Sequence, residues 1–179
     1  MDFRLTLENI LTAFREKNIQ YALIGGFAMG LYGVSRATVD IDMLVLRQDA
    51  DKVEDVMRGL GYECRYRSEN VSQYISPLKL FGEVDFLFAF REASLEMLRR
   101  AEEKEIFGES IKIKTARAED LIGLKVQALK NNPARKEQEI SDIKALLASH
   151  KDIEWDQVQW YFEIFGLESL YEEIEKEMR

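Results

Sequence analysis

The sequence predicts an α+β fold, with a mixed α/β unit over residues 1–115 followed by a helical segment over residues 116–179. Three observations carry this expectation. Short apolar and alternating runs between residues 21 and 113 show the two-residue period of strands. Stripes at the 3.6-residue period flank and interrupt them from the N-terminus onward. After about residue 117 only the helical period remains, so the chain changes character once.

Taken in order, Leu7, Ile10, Leu11 and Phe14 predict a helix over residues 5–17. Residues 21–24 form a short apolar strand, Gly25-Gly26 interrupts it, and residues 27–32 form a helix that Gly33 ends. Residues 39–46 read as a strand, and Val53, Val56, Met57 and Leu60 mark a helix stopped by Gly61. Strands are expected at 62–67, 71–75, 78–81 and 84–90, with Gly82-Glu83 as a two-residue turn between the last two. Residues 94–104 should be helical, and the alternation of IKIKT at 111–115 suggests an edge strand.

Four helical stretches follow. Leu121, Lys125, Ala128 and Leu129 line the first, which Asn131-Asn132-Pro133 breaks. Ile140, Ile143, Leu146 and Leu147 mark the second. Val158, Tyr161, Phe162 and Phe165 mark the third, and Leu167, Leu170, Ile174 and Met178 the fourth. Trp155, Trp160, Tyr161 and Phe162 read as core rather than as a base-stacking platform. His150 falls at a helix end, where it acts as a cap.

Composition excludes several classes. Of 179 residues, 46% are hydrophobic and 32% charged, with only two prolines, which is a globular composition. Cys64 is the only cysteine, so no intrachain disulfide forms, as expected in a reducing compartment. The N-terminus lacks the pattern of a signal peptide and no apolar run has the length of a membrane span. A cytoplasmic protein without a membrane partner is the expectation. A formal net charge of −8 repels phosphates and excludes a broad nucleic-acid surface, though not a local basic pocket. The basic clusters at Arg65 and Arg67, Arg99 and Arg100, and Lys130, Arg135 and Lys136 read as solvated faces.

The chemistry lies in YALIGGFAMGLYGVSRATVDIDMLV, residues 21–45. Asp40 and Asp42 stand two apart on a strand and point to one face, while Ile41 and Met43 point to the other. Two close carboxylates resist joint ionisation and are costly beside apolar neighbours unless positive charge sits between them. A bound Mg²⁺, or Mn²⁺, is the simplest solution, because hard cations favour carboxylate oxygens. Asp85 is a third acid on a strand, facing away from Val84 and Phe86. If its strand neighbours that of Asp40, three carboxylates converge and can hold metal against a triphosphate. Gly25-Gly26 follows a strand and opens a helix, so its backbone N–H groups can approach an anion.

This arrangement resembles the DNA polymerase β-like nucleotidyltransferase superfamily, whose signature is two glycines followed about a dozen residues later by Asp-hydrophobic-Asp-hydrophobic. Thirteen residues separate Gly26 from Asp40. The fuller string, Gly25-Gly26-x-Ala28, Tyr32-Gly33, Arg36-x-Thr38 and Asp40-Ile41-Asp42, resembles the small bacterial and archaeal branch that includes the AbiEii-type toxins. From residue 119 to 147 the chain is similar to that branch's helical module, with Lys125, Arg135, Glu139 and Asp142-Ile143 at the matching places.

The resemblance implies a twisted mixed β-sheet with packed helices and a metal-dependent transfer of a nucleoside monophosphate from an NTP. It implies metal coordination by Asp40, Asp42 and Asp85, with Asp40 and Asp42 also meeting the triphosphate and Asp85 helping to position the nucleophile. It places Gly25 and Gly26 at the phosphates. The acceptor is an RNA 3′ end, a protein hydroxyl or a small molecule, and an antitoxin-like partner protein is a further expectation. The alternative is a protein of this fold that binds nucleotide or a partner without catalysis.

Other residues carry two readings each. Arg36, four residues before Asp40, either contacts the triphosphate or acceptor or pairs with one of the site's aspartates. Thr38 either donates to a phosphate or supports its loop. Lys125 interrupts an apolar helix stripe, so it either snorkels to the core edge or supplies charge to the triphosphate. The resemblance favours the second. Asp142 is expected to pair with Lys125 or Arg135 across two helices.

Overall fold

The computed structural model describes all of residues 1–179. It contains one mixed seven-stranded sheet and eight helices, the predicted α+β class. The strands are β1 (Tyr21–Ile24), β2 (Asp40–Leu46), β3 (Glu63–Arg67), β4 (Val71–Ile75), β5 (Glu83–Ala89), β6 (Glu102–Ile106) and β7 (Ile111–Thr115). The helices are α1 (Phe3–Glu16), α2 (Gly25–Leu31), α3 (Ala50–Gly59), α4 (Glu92–Arg100), α5 (Ala118–Asn131), α6 (Lys136–Ser149), α7 (Trp155–Ile164) and α8 (Glu168–Met178).

The chain divides into two compact units. One comprises Met1–Ala28 and Ala37–Ala116, the other Met29–Arg36 and Arg117–Arg179. The first holds the sheet, in the order β3-β4-β5-β2-β1-β7-β6. β2 runs parallel to β5 and β1 parallel to β7, and the other neighbours are antiparallel. One face of β2, β4 and β5 is closed. Ile41, Met43, Val45, Ser72, Tyr74, Val84, Phe86 and Phe88 are all buried there, as strand alternation requires. Phe14 of α1 reaches this core, with its ring 6.0 Å from that of Phe86. The start of α1 is set by Asp2, whose carboxylate accepts the Leu5 N–H at 3.0 Å.

Several expectations are corrected by the structure. Residues 78–81 are not a strand, and Gly82-Glu83 is not a two-residue turn. β4 already pairs with β5 from Ile75↔Glu83 onward, so residues 76–82 form the loop of that hairpin. Its closure comes from the Ser76 N–H to Gly82 O bond at 2.9 Å and the Phe81 N–H to Leu78 O bond at 3.0 Å. Leu78 and Leu80 are left exposed.

The helix expected over 94–104 stops at Arg100, and the helix-favouring EEKEI becomes β6. Pairing with β7 overrides local propensity. Lys112 of β7 reaches Glu103 at 3.2 Å and Glu105 at 3.6 Å across the strands. β7 is therefore internal, between β1 and β6, and β6 is the edge.

In the second unit Tyr161 and Phe162 are core, whereas Trp160 is 37% exposed and leaves the predicted core set. His150 follows α6, its N–H bonded to Leu146 O at 3.1 Å and its ring edge-on to Tyr32. No helix is long and apolar enough to cross a membrane.

Candidate active site

β2 and β5 bring the three predicted aspartates onto neighbouring strands. In their parallel register Asp42 stands opposite Asp85 and Asp40 opposite Glu83. Asp40, Asp42 and Asp85 are half-buried, and their chain neighbours Ile41, Met43, Val84 and Phe86 fill the opposite face. The alternation of DIDM and EVDF thus sends the acids outward from the core and toward one another.

The partners of two of these acids are neutral. Thr38 Oγ1 donates to Asp40 Oδ1 at 2.8 Å, and Gln73 Nε2 donates to Asp85 Oδ2 at 3.0 Å. Thr38 thus supports its own loop and orients Asp40. Burial pushes the Asp85 carboxyl above the ordinary carboxylate value; the Gln73 bond opposes that, and the negative charges of Asp40 and Glu83 add to it.

Gly25 and Gly26 serve these side chains directly. A Cβ on Gly25 would lie 1.9 Å from Asp42 Oδ2, and its φ of +69° is a conformation that side chains disfavour. A Cβ on Gly26 would lie 3.0 Å from Thr38 Oγ1. The Gly-Gly pair is therefore the floor on which Asp42 and Thr38 rest, a packing reason that spacing alone did not show.

No group of three acidic, histidine or cysteine side chains is gathered closely enough to form a metal cluster. The donor chemistry of Asp40, Asp42 and Asp85 nonetheless fits a hard divalent cation. All three offer carboxylate oxygens on adjacent strands, the negative charge of Asp40 adds to the cost of ionising Asp85, and the bonded partners of those two carry no charge.

The remaining predicted residues belong to the second unit. Lys125 Nζ lies 2.7 Å from Asp142 Oδ2 and 3.1 Å from Glu139 Oε2. Arg135 reaches Glu139 Oε1 at 2.8 Å, and Arg36 pairs with Asp142 Oδ2. Glu139 and Asp142 are 0% and 5% exposed. Neither Glu139 oxygen has a well-angled hydrogen bond, so its burial rests on the two charge contacts. Lys125 thus has an ion-pair role that explains its place in an apolar stripe, and Arg36 pairs with an aspartate of the helical unit rather than with one of the sheet. The polar partner missed in the sequence was Gln73. Its signal was the alternation of VSQYI, which places it opposite in facing to the buried Ser72 and Tyr74.

The chain is similar in fold to several solved structures at low identity. The solution structure of the antibiotic-resistance factor ANT(2'')-Ia matches with a TM-score of 0.66 and 17% identity, over 99% of this chain and 98% of that one. The lincosamide antibiotic adenylyltransferase LnuA, lincomycin-bound, matches at TM-score 0.56 and 17% identity, over 81% of this chain and 96% of that one. The structure of a "putative nucleotidyltransferase" from Thermotoga maritima matches at TM-score 0.58 and 14% identity, over 76% of this chain and 91% of that one. No curated protein matches in sequence. The family model described as "Uncharacterised nucleotidyltransferase" matches residues 2–173. With the acids of β2 and β5 in register above a Gly-Gly floor, the chain belongs to that nucleotidyltransferase family.

Proposed function

We propose that the protein transfers a nucleoside monophosphate from a nucleoside triphosphate to a hydroxyl acceptor and releases pyrophosphate. The observation that supports this most is the register of Asp42 with Asp85, with Asp40 on the same face. In the reaction the acceptor oxygen bonds to the α-phosphorus, the bond from that phosphorus to the pyrophosphate oxygen breaks, and the hydroxyl proton leaves. Asp85, whose carboxyl is raised by burial, is suited to accept that proton. Asp40, oriented by Thr38, and Asp42, seated on Gly25, face the triphosphate. Mg²⁺ or Mn²⁺ would be held by these three carboxylates, and when bound it supplies neutralisation of the phosphate charge. Arg36 and Lys125 stand outside this reading, because Asp142 and Glu139 already hold them.

For the acceptor we favour a small hydroxyl-bearing molecule. A net charge of −8 disfavours a long RNA. The chain also spans 98% of ANT(2'')-Ia, which has been crystallised in complex with adenylyl-2''-tobramycin. An RNA 3′ end and a protein hydroxyl are the competing acceptors, and a toxin–antitoxin role rests on the motif resemblance alone. Calorimetric titration of each NTP with and without Mg²⁺, on wild type and on Asp40→Ala/Asp42→Ala, tests the site. Metal-dependent binding that the double variant loses supports it. A screen of the three acceptor classes for pyrophosphate release then tests transfer.

One observation favours a second reading, binding without transfer: the cations expected to meet a triphosphate are engaged by Glu139 and Asp142. Metal-dependent NTP binding with no pyrophosphate released in any acceptor class would select it.

A further inference from the structure

Gln73 lies directly across from Asp85 in the antiparallel register of β4 and β5. One row of the sheet runs Ile24, Asp42, Asp85, Gln73, so Gln73 flanks Asp85 on the side away from Asp42. Its neighbours Ser72 and Tyr74 turn into the core, at 0% and 2% exposed, while Gln73 itself is exposed. An exposed glutamine on a strand can satisfy its amide with water, so burial does not force the bond it makes. Its Nε2 nevertheless donates to Asp85 Oδ2 at 3.0 Å. That is the one hydrogen bond the Asp85 carboxylate accepts, and Oδ1 takes none.

The neutrality of this partner matters. A lysine or arginine opposite Asp85 would orient the carboxylate but cancel the charge that draws a cation. An apolar residue would leave Asp85 free to swing away from Asp40, whose negative charge repels it. A carboxamide orients without neutralising, which is what an outer partner of a ligating carboxylate must do.

We propose that Gln73 is a positioning residue, holding Asp85 through Oδ2 so that Oδ1 is presented to a divalent cation. This rests on the nucleotidyltransferase reading of Asp40, Asp42 and Asp85.

The test is Mn²⁺ binding to the full chain, followed by the electron paramagnetic resonance signal of free Mn²⁺, with thermal unfolding as a parallel measurement. Wild type is compared with Asp85→Asn and with Gln73→Leu and Gln73→Thr, two residues that suit a strand but cannot make the bond. The expected result is affinity about 10-fold weaker in both Gln73 variants, a larger loss in Asp85→Asn, and unchanged unfolding midpoints. Wild-type affinity in both Gln73 variants, with a loss in Asp85→Asn, overturns the positioning role and leaves the metal reading standing. Equal affinity in all four proteins overturns the metal reading and the positioning role with it. A loss in the Gln73 variants that tracks a lowered midpoint makes the residue structural and also overturns the proposal.

Discussion

Two sets of acids, one in each unit of this protein, are treated in opposite ways. In the helical unit Glu139 and Asp142 are almost wholly buried, and three cations, Lys125, Arg135 and Arg36, close on them. In the sheet unit Asp40 and Asp85 are half-buried, and their bonded partners, Thr38 and Gln73, are neutral. A carboxylate that serves the fold is matched by charge from the same chain, since an unmatched buried charge is costly. A carboxylate kept for a ligand is oriented but not neutralised, and the fold tolerates the cost. The contrast agrees with the sequence expectation that Asp142 pairs with a cation, and it adds Glu139 to the acids held that way.

The largest effect should come from the sheet acids. Asp40→Ala or Asp42→Ala should lower transfer by at least roughly 10²–10³-fold with the fold intact, as measured by pyrophosphate release and circular dichroism. Retained turnover in both would remove the contrast. Next comes the helical network. Asp142→Ala should leave transfer chemistry in place but cost stability, by about 2–3 kcal/mol in denaturant unfolding. Breaking a lone buried pair costs about 3–5 kcal/mol, and Lys125 here keeps Glu139 as a partner.

Gly25→Ala should act on both quantities. Its Cβ would strike Asp42 Oδ2, and its φ is positive. A stability loss of about 1–3 kcal/mol, with metal-dependent NTP binding impaired, is expected. Normal binding would show that Asp42 needs no glycine floor.

The smallest effect is a gain. Because the folded pKa of Asp85 is raised, its protonated form favours the fold. That stabilisation is complete below the unfolded value near 3.8 and is lost as pH rises through the folded pKa. At neutral pH the ionised Asp85 therefore opposes folding. Asp85→Asn in metal-free buffer should raise the melting temperature at pH 7, and the gain should shrink toward pH 3. A variant less stable than wild type at pH 7 would make Asp85 a structural acid like Asp142.

Much of this was legible in the chain. The Asp-x-Asp of β2 and the alternation around Asp85 specify facing, because the side-chain period of a strand is two residues. The helical stretches after residue 117 were legible for the same reason, through their longer period. Strand partnership was not. EEKEI has the local preferences of a helix and became β6 only because β7 offered it a partner and opposite charges. The 78–81 segment has strand-like composition and became a loop because β5 was already paired with β4.

The sequence by itself determined the α+β class, the outward facing of Asp40, Asp42 and Asp85, and the candidate chemistry, because these depend on residue type and on periods within a few positions. Only the tertiary structure decided that Asp42 and Asp85 share a register, that Gln73 holds Asp85, that Gly25 makes room for Asp42, and that Lys125 and Arg36 belong to buried carboxylates. Each of those joins residues distant in the chain, and local preference carries no information about which distant group will arrive.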